Sequence, residues 1–297
     1  MHHHHHDAEE HNRPEEKTVF YLTISFAINL LLSGVEIAVG IFSGSIALIA
    51  DALHNTSDAC SILIAVLAFK IGRKKANAQF TYGYQRAELI GGFVNLILLF
   101  ISGVYLAYEG IARLIAPEPI QGLPIILVSI LALIIDAATA KLSHAHAQTN
   151  TNMRMVFLHN LADAFGSVGV IISGLCVLAL DWTFVDGVMA LVIAAYMIYQ
   201  AVMSFPQIVR ILMNAVPANL ELEAIRAAIA RMDGVHDVHH IHLWNISEHE
   251  VALECHVVAK DFALVSQIQR MLHDEFAIEH ATIQLENEPD NCTACPL

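Results

Sequence analysis

Two short stretches put acidic and basic side chains inside runs that are otherwise apolar. Leu53-His54-Asn55-Thr56-Ser57-Asp58 and Leu158-His159-Asn160-Leu161-Ala162-Asp163 share the pattern Leu-His-Asn-x-x-Asp, and each lies in a run apolar enough to cross a membrane. The His and Asp of each pair are spaced i, i+4, so on a helix they stack on one face, a turn apart. Two such helices offer two imidazoles and two carboxylates. A charged Asp near the bilayer centre costs roughly 2.5–3.5 kcal/mol on insertion scales, so two of them there call for a partner. A divalent cation is such a partner. Zinc takes four nitrogen or oxygen ligands tetrahedrally, and His54, Asp58, His159 and Asp163 supply four. A single pair could equally be a helix-to-helix hydrogen bond that only holds a bundle together. The second copy of the motif favours an intramembrane zinc site. Asp51 lies three residues before His54, one turn back, where it could hold that imidazole from behind or lie on a proton path.

The elements that must position these residues are six apolar runs, approximately 18–41, 45–71, 87–115, 122–144, 154–180 and 184–205. Each is near the roughly 20 residues that a bilayer requires. Of 297 residues 56% are hydrophobic and only 15% charged, and the mean hydropathy is +0.55, which marks a polytopic membrane protein. Positive charge gathers in two connections: Arg73, Lys74, Lys75 and Arg86 after the second run, and Lys141 and Arg154, with His144 and His146, after the fourth. By the positive-inside rule these face the cytoplasm, so both termini are expected there. The opposite connections carry Arg113, Glu118, Asp181 and Asp186. The second and fifth runs then cross in opposite directions, and their His/Asp pairs can meet at similar depth. Gly166, Gly169, Ser173 and Gly174 give the fifth run a small-residue face that lets another helix approach closely. Asn29, Glu36 and Asp136 are further polar residues within runs.

Three regions are expected: a disordered His-rich tail over 1–17, a transmembrane domain over 18–209 and a soluble domain over 210–297. His2 to His6 are either an expression tag or a native metal-collecting segment, and no cleavable signal peptide is expected, since the start is polar and acidic. After Pro217 the pattern becomes helix (220–232), strand (238–246), strand (251–259), helix (262–276), strand (281–285), a small open sheet with helices on one face. His236, His239, His240 and His242 crowd the first strand and His256 lies in the second. Cys292-Thr293-Ala294-Cys295 closes the chain; in a reducing compartment such a pair reads as a metal or redox site, and histidines with Glu286 nearby favour metal. Cys60, Cys176 and Cys255 are scattered, so no disulfide framework is present. The formal net charge of -14 argues against nucleic-acid binding and suits a domain that attracts cations.

Six runs, the paired His-x-x-x-Asp motifs, the stretch Gly44-Ser45-Ile46-Ala47-Leu48-Ile49-Ala50-Asp51-Ala52-Leu53-His54 and the closing His280-Ala281-Thr282-Ile283-Gln284-Leu285-Glu286 resemble the cation diffusion facilitator family, in particular its zinc transporters with a His/Asp pair on both site helices. The resemblance covers nearly the whole chain after the tail. It implies a homodimer in a bacterial inner membrane or its equivalent that exports Zn2+ in exchange for protons, with a cytoplasmic domain of metallochaperone-like fold. It also implies a transport site of His54, Asp58, His159 and Asp163, and a cytoplasmic site of His239, His256 and Glu286 with the Cys292/Cys295 pair. Two departures stand out. The loop after the second run offers Ala78, Phe80 and Tyr84 where some bacterial relatives place metal ligands, so that site is expected to be absent, and the His-rich loop after the fourth run shrinks to His144 and His146.

An empty site with two close carboxylates in a low dielectric repels its own anions, so protons occupy it until zinc displaces them. Exchange needs no covalent step, and no G-x-x-x-x-G-K-[ST] stretch is present for nucleotide use. An intramembrane zinc enzyme would require H-E-x-x-H, and His249-Glu250 lacks the second histidine. A membrane zinc sensor without flux is the other alternative. No nucleic-acid or nucleotide partner is expected. Zinc, protons and the bilayer are.

Overall fold

The computed structural model describes residues 27–72, 74–147, 151–247 and 250–287, with the side chains of 62, 65, 69, 142–147 and 151–156 left aside. The His-rich tail, the start of the first run, Arg73, His249 and the Cys292/Cys295 pair lie outside the described residues, as do the side chains of His144, His146 and Arg154.

Among the described residues five helices are long and apolar enough to cross a membrane, preceded by a shorter apolar helix. They are α1 (Ala27–Ser43), α2 (Ile46–Gly72), α3 (Ala87–Ile115), α4 (Gly122–Ala147), α5 (Thr151–Leu180) and α6 (Phe184–Leu212). Each expected run is a helix over its described residues, the first of them from residue 27 onward. By chain contacts the molecule divides into two units, Met1–Leu63 with Asn95–Met203 and Ile64–Val94 with Ser204–Leu297.

The first unit packs Leu48 of α2, Leu106 of α3, Ile125 of α4, Val170 of α5 and Met197 of α6 into one core. Bulky apolar residues on the other faces of these helices, such as Val104, Leu127, Ile172 and Val192, stay exposed, as a lipid-facing surface requires. The small face of α5 is shared among its neighbours: Gly174 meets α4, where a Cβ on Gly122 would collide with the Gly174 carbonyl, while Gly166 faces Asp51 of α2 and Gly169 faces Met189 of α6. The α1–α2 turn is tight. Gly44 adopts φ +77, open to glycine at no steric cost, and a Cβ there would lie 2.9 Å from the Pro119 carbonyl oxygen.

Asp186 is not the solvent-facing loop charge that its flanking position suggested. It sits fully buried in the first turn of α6 and caps α2 from across the bundle. Its carboxylate accepts from Ser45 Oγ (2.5 Å), from the Ile46 amide (2.7 Å) and from the Ala47 amide (3.2 Å), while Ser45 Oγ accepts from the Leu48 amide (3.1 Å). A buried helix N-terminus has no water to satisfy its free amides, and a carboxylate there also meets the positive end of the helix dipole.

In the second unit α6 runs past the expected end at 205, because the apolar pattern continues and Pro206 removes only one backbone donor. Asn214 ends the helix in the left-handed conformation (φ 53), with the Ala215 amide reaching back to the Arg210 carbonyl (2.9 Å) and its own amide to Ile211 (3.1 Å). The soluble domain follows as α7 (Leu222–Ala230), β1 (Asp237–Asn245), β2 (Val251–Val258), α8 (Ala263–Phe276) and β3 (His280–Glu286), the expected αββαβ order. The sheet order is β1-β2-β3, with β1 antiparallel and β3 parallel to β2. The parallel pair requires a crossover, and α8 supplies it. Ile225, Ile229, Leu253, Val257, Ile268 and Leu272 form the core under the two helices. Cys255 is fully buried in that core, and burial first, with the Glu254 charge second, pushes its thiol up to about 12. The loop between α2 and α3 belongs to this unit: Arg86 Nη2 donates to Asn214 Oδ1 (2.9 Å) and Gln85 Nε2 to Glu250 Oε2 (2.8 Å).

Candidate metal centres

α2 and α5 turn their His/Asp pairs toward each other. His54 Nε2 lies 3.3 Å from Asp163 Oδ1 and 3.6 Å from Asp58 Oδ2, and His159 Nε2 lies 3.3 Å from Asp58 Oδ2 and 3.6 Å from Asp163 Oδ2. Each imidazole therefore touches both carboxylates, its own helix's and its neighbour's. Four ligands placed tetrahedrally at about 2.0 Å from a zinc ion stand about 3.3 Å from one another. All four nitrogen–oxygen contacts fall at or just above that length, but the two histidines meet different oxygens of Asp163 and His159 stands outside the set of ligand atoms that converge, so His159 has to move inward to complete a tetrahedron. Burial is graded: His54 is 4% exposed, while the side chain of His159 is 38% exposed. Ligand atoms of His54, Asp58 and Asp163 all lie within 4.8 Å of one another.

Asp51 is buried beside this ring but forms no hydrogen bond with His54. His54 Nδ1 and Asp51 Oδ2 are both buried without a hydrogen-bond partner. The other Asp51 oxygen faces α5 at Gly166, where a Cβ would stand 3.3 Å away. Two more buried carboxylates lie in the same bundle. Glu36 accepts from Asn55 Nδ2 (3.4 Å) and Asp136 from Ser167 Oγ (3.1 Å).

A second cluster forms on the sheet. His239 and His256 are a cross-strand pair of β1 and β2, and Glu286 ends β3 beside them. Glu286 Oε2 lies 3.3 Å from His239 Nε2 and Glu286 Oε1 2.8 Å from His256 Nδ1, and ligand atoms of the three lie within 4.8 Å of one another. His239 Nε2, His256 Nδ1 and Glu286 Oε2 are buried without an aligned hydrogen bond, which suits atoms that face an ion rather than each other. Asp237, which no motif singles out, joins this arrangement: its Oδ2 lies 3.0 Å from His239 Nδ1 and fixes that ring. Its place two residues before His239, on one face of the strand, was the available signal.

His240 and His242 line the same strand through a bulge between His239 and His242, at which His240 takes φ 52. His240 stacks on His256 at 4.5 Å and meets His242 edge-on at 4.7 Å. The regular alternation expected over 238–246 breaks here. His236 precedes the strand, its amide bonded to the Val258 carbonyl (2.8 Å).

A bundle of apolar helices holding a ring of two histidines and two aspartates, followed by an α/β domain with its own His/His/Glu cluster, defines a multi-pass membrane protein organised around cations. Residues 22–213 match the family model described as the cation efflux transmembrane domain, and residues 217–288 match the cation efflux protein, cytoplasmic domain. The chain belongs to the cation efflux family, whose members are transporters and not enzymes. It is 32% identical over 291 residues to the zinc transporter ZitB of Pectobacterium atrosepticum, covering 95% of this chain and 91% of that one. It is 29% identical over 289 residues to the cadmium, cobalt and zinc/H(+)-K(+) antiporter of Bacillus subtilis, covering 95% and 93%. Among solved structures, the metal-bound C-terminal domain of the CzcD transporter from Cupriavidus metallidurans is 32% identical over 23% of this chain and 99% of that one, at a TM-score of 0.21.

Proposed function

We propose that this protein exports Zn2+ from the cytoplasm in exchange for protons through His54, Asp58, His159 and Asp163. The observation that carries the reading is the ring of four nitrogen–oxygen distances between 3.3 and 3.6 Å, close to the edge of a zinc tetrahedron. The names of relatives, a zinc transporter and a zinc/H(+)-K(+) antiporter, support both ion and counter-ion. Metal binding requires neutral imidazoles and ionised carboxylates, so each zinc that enters displaces protons, and protons arriving from the other side displace zinc. Asp51 has an unpartnered oxygen behind the ring and suits a place on the proton path. Alternating access follows if α2 and α5 carry their pairs between two openings.

The termini belong in the cytoplasm on this reading, by the positive loops already described, with a boundary near residue 209 between transmembrane and cytoplasmic domains. The match of residues 217–288 to the family's cytoplasmic domain supports a homodimer. His239, His256 and Glu286 would hold a resident Zn2+, with Cys292 and Cys295 as further ligands; such an ion cross-links three strands and fixes the domain's shape. Purified protein reconstituted in liposomes tests the proposal. Zinc accumulation driven by a proton gradient is the expected result, and zinc binding without flux would leave a sensor instead.

A further inference from the structure

The ring that binds the ion contains one imidazole whose support is missing by the usual rules. A ligating histidine generally gives its second nitrogen to a carboxylate, carbonyl or water, which fixes the ring and its tautomer. In the sheet cluster Asp237 does this for His239. His54 has no such partner. Its Nε2 faces Asp58 and Asp163 while its Nδ1 is buried without a hydrogen bond, and Asp51, one turn back, does not supply one.

An aromatic ring packs against this imidazole instead. Tyr196 of α6 packs against the His54 ring at 5.5 Å between centroids and 70° between planes, closer than the 6.3 Å that separates His54 from His159. The T-shaped geometry is the favoured one for such rings and restricts rotation of both. Tyr196 is itself held one turn along, where Gln200 Nε2 donates to its hydroxyl at 2.7 Å. Its neighbours on the helix, Ala194 and Met197, are fully buried in the bundle core, so the helix that presents the ring is anchored.

We infer that Tyr196 is the positioning residue for His54: its ring, steadied by Gln200, replaces the missing hydrogen bond and keeps Nε2 aimed into the ring of ligands. The inference rests on the proposed zinc site. It goes beyond it by assigning α6 a part in ion affinity that the His/Asp motifs of α2 and α5 do not contain. Two consequences follow. The ring, and not the hydroxyl, should matter for affinity, and its effect should be felt only while His54 is present to be held.

The test uses full-length protein in detergent, with His2 to His6 and His11 replaced by Ser and with His239→Ala, His256→Ala, Cys292→Ser and Cys295→Ser as a common background, so that the membrane ring is the tetrahedral site left for the probe. Co2+ serves as the probe, because its visible absorption reports a tetrahedral nitrogen and oxygen site and its titration gives an affinity. Tyr196→Ala is expected to weaken Co2+ binding roughly tenfold and broaden the spectrum. Tyr196→Phe restores the affinity to within about threefold of the background, since it keeps the ring. Combined with His54→Ala, Tyr196→Ala should add nothing further, which a general loss of packing would not reproduce. Tyr196→Leu, with similar bulk, replaces Tyr196→Ala if the latter fails to fold, and carries the same expectation. A normal Co2+ spectrum that neither variant changes, or a loss of equal size with and without His54, overturns the inference and leaves the zinc site standing. A background protein with no tetrahedral Co2+ spectrum overturns the zinc site itself, and the inference with it.

Discussion

At the scale of single residues, the four members of the ring divide the work by charge and by donor type. Asp58 and Asp163 each touch both imidazoles, so either one removed leaves two histidines facing a single carboxylate. Asp58→Ala or Asp163→Ala should therefore abolish zinc flux while the protein still folds, because an intramembrane carboxylate that serves the ion is a cost to the fold without it; substantial zinc uptake into vesicles by either variant would remove the ring from the transport path. Selectivity at the proposed site should follow donor type. Two nitrogens and two oxygens suit zinc, whereas an added carboxylate in place of an imidazole shortens the side chain and opens the site to a larger ion with longer bonds. His54→Asp is expected to keep zinc flux and gain cadmium flux, and parallel measurements of the two ions give the ratio that decides it. The four ring residues were legible because two i, i+4 pairs of ionisable side chains in apolar runs are too costly to keep unless they hold an ion or each other. Tyr196 was not legible, since an aromatic residue in a membrane helix has no spacing that marks what it will touch. Asp237 lay in between, visible as a neighbour of His239 but silent about its direction.

At the scale of elements, the position of His54 and Asp58 depends on where α2 begins, and that is fixed by a residue far along the chain. Asp186 takes three donors from the start of α2 and is fully buried. Asp186→Ala leaves two backbone amides and a hydroxyl without an acceptor, away from water, and should destabilise the folded protein by about 2–3 kcal/mol. Asp186→Asn, which keeps one acceptor oxygen, should lose less; thermal unfolding in detergent orders the three proteins, and equal midpoints would make the cap dispensable. The sequence made the helices plain, because runs of some twenty apolar residues fit nothing else. Asp186 it presented as a loop charge, since flanking an apolar run is where loop charges sit, and only the packing of α6 against α2 turns it inward. The sheet behaved similarly. The first strand followed from its alternation, but the bulge at His240 depends on pairing with β2, which one strand's sequence does not contain.

At the scale of the whole molecule, two candidate metal clusters on one chain call for two different tests. The sheet cluster presents three residues whose ligand atoms converge, with Cys292 and Cys295 beyond the described residues. Calorimetry on full-length protein carrying Asp58→Ala and Asp163→Ala should still detect zinc binding there, weakened by His239→Ala or His256→Ala. Unchanged binding after Cys292→Ser with Cys295→Ser would exclude the Cys pair from that site. Zinc held in the cytoplasmic domain can influence transport only as far as it binds one conformation of the molecule more tightly than the other.

The proposed exchange makes a further demand on the membrane ring, because on that reading protons and zinc compete for the same side chains. Imidazole ordinarily titrates near about pH 6.5, and a protonated ring nitrogen cannot ligate a cation. On the side where zinc enters, acid fills the ring with protons and keeps zinc out; on the side where zinc leaves, acid supplies the protons that expel it. The two sides should thus respond with opposite sign. In liposomes loaded from one face, flux should fall as the entry side goes from about pH 8 to 6 and rise as the exit side does the same. Acidification of both sides together should give a smaller net change than either alone. Flux that ignores pH on both sides would mean zinc crosses without exchanging for protons; flux that falls with acid on either side would mean that protons inhibit the ring without driving it.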